Sequence, residues 1–150
     1  MIKVNIPKLV MLALLGVLLG SFVWMGGCIG SAGNELKTET QIIAEVTPEE
    51  ANALIQDNKD SPNFTIIDVR TPEEYATGHI EKAMNLDYNS EIFRADINKL
   101  EKSKMYLIYC RSGHRSGLAL SIMKELGFTE VYNMLGGIIE WEASGLPTVK

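Results

Sequence analysis

The strongest constraint on the fold is a pair of short, near-continuous apolar runs, Phe64-Thr65-Ile66-Ile67-Asp68-Val69-Arg70 and Met105-Tyr106-Leu107-Ile108-Tyr109. Runs of this length without polar alternation suit strands of a sheet that is covered on both faces. Strand-like and helix-like segments alternate around them. Ile42–Val46 reads as a strand. Thr47-Pro48-Glu49-Glu50 reads as a helix start, with Thr as N-cap, Pro at the first helical position and Glu three residues after the cap. Thr71-Pro72-Glu73-Glu74 repeats that signature and opens a short helix ending near Thr77-Gly78. Ala83–Leu86 is a short strand, and Ser90–Leu100 places Ile92, Phe93, Ile97 and Leu100 at helical spacing. Ser116–Leu126 is a helix closed by Gly127, Val131–Asn133 a last strand and Ile138–Ala143 a last helix. This alternation predicts an α/β domain with a central parallel sheet of about five strands.

The first 27 residues read as an export signal and not as part of that domain. Lys3 and Lys8 form a positive start, and Leu9–Trp24 is apolar. Met25-Gly26-Gly27-Cys28 then resembles a lipobox, in which Cys28 carries a diacylglyceryl thioether and becomes the new N-terminus. Since 22 residues from Leu9 to Gly30 are uncharged, an uncleaved transmembrane anchor is the alternative. Either way the expected organisation is a signal over 1–27, a small polar tether over 28–40 and a domain over 41–150. Either way the domain is expected on the extracytoplasmic face of the membrane, held through its N-terminus.

Removal of residues 1–27 takes two lysines and no acidic residue, so the formal charge falls from −5 to −7. That balance argues against a nucleic-acid partner, which needs a basic footprint. The only cysteines are Cys28 and Cys110. With Cys28 lipidated, Cys110 is a single free thiol in a compartment where thiols are usually paired, which marks it as reactive.

Cys110 lies where the second apolar run meets a helix, in the stretch Cys110-Arg111-Ser112-Gly113-His114-Arg115-Ser116. Loop amides ahead of a helix form an anion cradle. Arg111 and Arg115 add positive charge, and His114 could add more. Each effect lowers a thiol pKa, and the thiolate is the nucleophile. Gly113 allows a backbone shape that a Cβ resists. The site suits an anionic donor bearing an electrophilic sulfur, with a persulfide forming on Cys110 and a thiol acceptor removing it.

Three stretches carry a resemblance: Ile67-Asp68-Val69-Arg70-Thr71-Pro72-Glu73-Glu74-Tyr75 with Gly78-His79-Ile80; Cys110–Ser116; and Tyr132-Asn133-Met134-Leu135-Gly136-Gly137-Ile138 with Trp141 and Gly145-Leu146-Pro147. In this order they resemble a single-domain rhodanese. The resemblance implies a rhodanese-like fold with helices on both sheet faces, Cys110 as persulfide carrier, and Arg111, Ser112, Gly113, His114 and Arg115 as its substrate cradle. It also points to a thiosulfate-type donor. Where the family often has Pro-Gly-Ala after Gly-His-Ile, this sequence has Glu81-Lys82-Ala83.

Two other functions compete. A phosphatase or arsenate-reductase loop has five residues between Cys and Arg, whereas four separate Cys110 from Arg115. A non-catalytic persulfide carrier serving a membrane partner is the other. Asp68 and Arg70 read as a supporting ion pair, joined by Ser116. His79 reads as a turn hydrogen-bonder and Trp141 as core. Cysteine and histidine spacing gives no zinc pattern, so neither metal nor cofactor is expected.

Overall fold

The computed structural model describes residues 40–150. The expected export signal, Cys28 and the expected tether up to residue 39 lie outside the described residues. Ten elements alternate: β1 (Ile42–Val46), α1 (Pro48–Asn58), β2 (Phe64–Asp68), α2 (Pro72–Thr77), β3 (Met84–Asn85), α3 (Phe93–Asn98), β4 (Met105–Tyr109), α4 (His114–Glu125), β5 (Glu130–Met134) and α5 (Gly137–Ala143). The five strands form one parallel sheet in the order β1-β5-β4-β2-β3. The two apolar runs are neighbours inside it, paired from Phe64 with Met105 to Asp68 with Tyr109.

Both faces of that sheet are covered, which explains why the runs lack polar alternation. Successive strand side chains point to opposite faces. Ile67 and Ile108 join Phe93 and Ile97 of α3 and Ala119 and Met123 of α4 in one core. Ile66 and Leu107 join Ala51 of α1 and Ile138 and Trp141 of α5 in the other. Burying each large side chain of this kind contributes about 1.5–3 kcal/mol. Trp141 is core, as expected, and its indole N–H donates to the Pro147 carbonyl at 2.9 Å.

Local signals set the element ends. Both Thr47 and Thr71 form complete capping boxes, with Glu50 and Glu74. Gly127, at φ +82°, follows α4. The Gly127 N–H donates to Lys124 O and the Phe128 N–H to Met123 O, the paired bonds of a Schellman turn.

Several boundaries differ from the sequence reading. β2 ends at Asp68, because the Arg70 N–H turns back onto the Asp68 carboxylate at 2.9 Å. α3 is only six residues long. α4 begins at His114 and not at Ser116, because Gly113 in the left-handed region (φ +89°) serves as the N-cap. Lys82, which stands where the resemblance leads one to expect glycine, is the one described non-glycine residue with positive φ, at +64°.

Candidate active site

All five strands run the same way, so their carboxyl ends share one edge of the sheet, where ligands of open α/β folds bind. Cys110 follows β4 at that edge and is 1% exposed. Burial alone would push its thiol pKa up. The Ser116 hydroxyl and the backbone N–H groups of Ser116, Ser112 and Gly113 outweigh it, and the thiol sits below its usual value. The Gly113 N–H points at the sulfur from 3.2 Å and the Ser116 hydroxyl from 3.5 Å. Hydrogen bonds of this kind favour the charged form. The cradle expected from the sequence is therefore built from amides and one hydroxyl.

The side chains of the loop divide. Arg111, Ser112 and His114 are exposed, Arg115 is half-buried, and Ser116 is buried. Arg111 and His114 have no side-chain hydrogen bond among the described residues. Arg115 has a partner that the sequence reading did not name. Its guanidinium grips Glu74 of α2 with both ends, at 2.7 and 2.8 Å. That fork holds the Glu74 carboxyl down at about 2. The Glu74 carboxylate, and to a smaller extent the nearby Cys110 sulfur, raise the Arg115 pKa. Arg115 thus lies between a carboxylate and the thiol. Its position in the first turn of α4 follows from the early helix start.

Asp68 and Arg70 do not belong to the cradle. Both are buried, and the Arg70 Nη2 lies 2.6 Å from an Asp68 carboxylate oxygen. The same Nη2 donates to Gly78 O at 2.6 Å. Asn85 donates to the Asp68 and Arg70 carbonyls, and the Ile80 N–H donates to the Tyr109 hydroxyl oxygen. The pair therefore braces the end of β2 against the α2–β3 connection. His79 makes its expected turn contact with Tyr75 O and stacks on the Tyr75 ring at 3.7 Å.

Beside the loop, between α2 and α5, opens a cleft of about 490 Å³. Arg70, Glu74, Arg111, Ile138, Ile139 and Glu142 are among the residues that line it. The volume falls in the range of small-molecule sites. Arg111, next in sequence to the thiol, brings to it a positive charge that makes no salt bridge among the described residues, beside the carboxylates of Glu73 and Glu142. No three His, Cys, Asp or Glu side chains converge among the described residues to hold a metal.

The sequence reading took Glu74 as a helix cap only. The available signal was its place: it follows the Asp68–Arg70 strand end, on the same sheet edge as a loop with two arginines and no acid.

Comparison with known proteins points to one fold family. A family model of the rhodanese-like domain matches residues 47–144. A protein of Allochromatium vinosum named sulfurtransferase is 36% identical over 100 residues, which cover 67% of this chain and 92% of that protein. A tRNA uridine(34) hydroxylase of Teredinibacter turnerae is also 36% identical, over 64% of this chain but only 30% of the relative. The crystal structure of a rhodanese-related protein from Thermoplasma volcanium aligns with TM-score 0.58 at 29% identity, covering 71% of this chain and 97% of that one. The solution structure of a rhodanese-like domain from Anabaena aligns with TM-score 0.58 at 30% identity, covering 70% and 77%.

Proposed function

The chain belongs to the rhodanese-like family, and on that premise we propose that it is a sulfurtransferase that moves sulfane sulfur from a small anionic donor, such as thiosulfate, to a thiol acceptor through a persulfide on Cys110. The observation that carries this reading is the Cys110 sulfur itself, buried yet held below its usual pKa by N–H and hydroxyl donors.

In the first half-reaction the Cys110 thiolate attacks the outer sulfur of thiosulfate. A new S–S bond forms, the donor's S–S bond breaks, and sulfite leaves with the electron pair. Arg111, exposed at the cleft, meets the donor's negative charge. The amides of Ser112, Gly113 and Ser116 then take the persulfide anion, as preorganised donors do for charge that develops during a reaction. Arg115, steadied by Glu74, adds a fixed positive charge, and His114 lies at the exposed rim. In the second half-reaction the acceptor thiolate attacks the outer sulfur, leaves with it as a persulfide, and returns Cys110 as thiolate. Cyanide can replace the acceptor and gives thiocyanate.

The N-terminal signal supports a further part of the proposal. The domain works on the extracytoplasmic face of the membrane, lipid-anchored at Cys28, or held by an uncleaved anchor if residues 1–27 are retained.

Cyanolysis of thiosulfate tests the reaction. Wild-type protein is expected to produce thiocyanate, and Cys110→Ser to abolish it while leaving the thermal unfolding curve in place. A Cys110→Ser variant with near-wild-type turnover would refute covalent catalysis. Intact-mass measurement of protein taken from membranes reads both parts at once: one added sulfur on Cys110 after thiosulfate, and a diacylglyceryl group on Cys28.

A further inference from the structure

The helix after the last strand touches the catalytic loop from behind. The Ile138 N–H of α5 donates to the Cys110 carbonyl at 2.9 Å, and the Ile139 N–H donates to the Arg111 carbonyl at 3.2 Å. This approach exists because residue 137 has no side chain. A Cβ on Gly137 would stand 2.5 Å from the Cys110 carbonyl oxygen and 2.6 Å from the Arg111 carbonyl carbon and oxygen, far inside contact distance with backbone. From the other side, a Cβ on Gly113 would meet the Gly136 N at 3.2 Å. The loop and the turn before α5 are thus interlocked, with a glycine on each side of the closest contact.

The interlock sets the direction of the cradle. A trans peptide is planar, with its C=O and the next N–H pointing opposite ways, and no described peptide bond is cis. When α5 holds the Cys110 and Arg111 carbonyls, the N–H groups of Arg111 and Ser112 must point away from α5. The Ser112 N–H is one of those that act on the sulfur.

We infer that Gly137 is a positioning residue for Cys110: lacking a Cβ, it lets the first-turn amides of α5 take the Cys110 and Arg111 carbonyls, and this turns the Ser112 N–H toward the sulfur. The inference rests on Cys110 being the nucleophile of the proposed reaction, but not on the donor or acceptor. Nothing in the loop's own sequence encodes this contact. Moving the carbonyls as far as a methyl group standing at 2.5 Å demands would tilt the peptide planes and weaken the cradle.

The test is the pH profile of Cys110 alkylation by iodoacetamide, measured on the full chain without any sulfur donor. A failed sulfurtransfer assay therefore does not decide it. Gly137→Ala is expected to raise the inflection by about one pH unit, the size of losing a hydrogen bond to a charged group. Gly127→Ala is the control. Gly127 also has positive φ, at +82°, but a Cβ there meets nothing within 4 Å. It carries the same backbone strain without the contact, and its inflection is expected to match wild type. Ile139→Pro is the second variant and decides the matter should Gly137→Ala fail to fold. It takes away the N–H that meets the Arg111 carbonyl and sets a ring carbon in its place, at an exposed first-turn position where proline is tolerated, and it too should raise the inflection. A wild-type inflection in Gly137→Ala, or in Ile139→Pro where Gly137→Ala does not fold, or an equal shift in Gly127→Ala, would overturn the inference.

Discussion

Glu74 does two things with one carboxylate. It accepts the Thr71 N–H at 3.2 Å and so completes the cap of α2, and it receives both ends of the Arg115 guanidinium. A planar fork on a carboxylate is among the stronger polar pairings, and this one spans 41 residues of sequence. Its pH dependence has a definite sign. Arg115 holds the Glu74 carboxyl at about 2, against an ordinary value of 4.5. The unfolded chain therefore binds the extra proton first as pH falls. The pair's contribution is complete above about 4.5, falls away as pH drops from there, and is gone below about 2. Glu74→Gln is expected to lower the melting temperature at pH 7 and to flatten the rise of stability between those two values. A melting series from pH 2 to 7 checks it, and a variant curve parallel to wild type would show that Glu74 is not the group responsible.

At the scale of elements, the two capping boxes make a matched pair. α1 and α2 open with the same four-residue pattern, and in each the threonine hydroxyl accepts the N–H of the glutamate three residues on, at 3.3 Å. Losing such a cap costs about 1 kcal/mol. Thr47→Ala and Thr71→Ala should therefore cost similar stability in urea unfolding. Only Thr71→Ala is expected to slow Cys110 alkylation, because only its partner glutamate also steadies Arg115. Equal alkylation rates in the two variants would separate the cap from the site. The helices themselves were legible because caps, periodicity and glycine stops act within a few residues of sequence. The start of α4 was not: Gly113 supplies no side-chain cap, and nothing local marked it as the N-cap in place of a residue nearer Ser116.

Across the whole molecule, the buried Asp68–Arg70 pair ties β2, the α2–β3 connection and the neighbouring Tyr109 of β4 into one block below the site. Removing one member leaves the other charge buried without a partner, which costs about 3–5 kcal/mol. Asp68→Ala should show that loss in chemical unfolding, and Asp68→Ala with Arg70→Leu should recover part of it. If the double variant is no more stable than the single, the stranded arginine is not the cause. Along the chain, the sequence by itself determined the parallel α/β class, the strand-to-helix position of Cys110 and the supporting character of Asp68 and Arg70. Those rest on apolar runs, caps and charge pairs between near neighbours. Only the tertiary structure decided that Glu74 holds Arg115 and that α5 holds the Cys110 and Arg111 carbonyls. Both contacts join segments far apart in sequence. They exist because the strand order β1-β5-β4-β2-β3 brings the ends of β2, β4 and β5 to one edge, where packing, and not local preference, sets which groups meet.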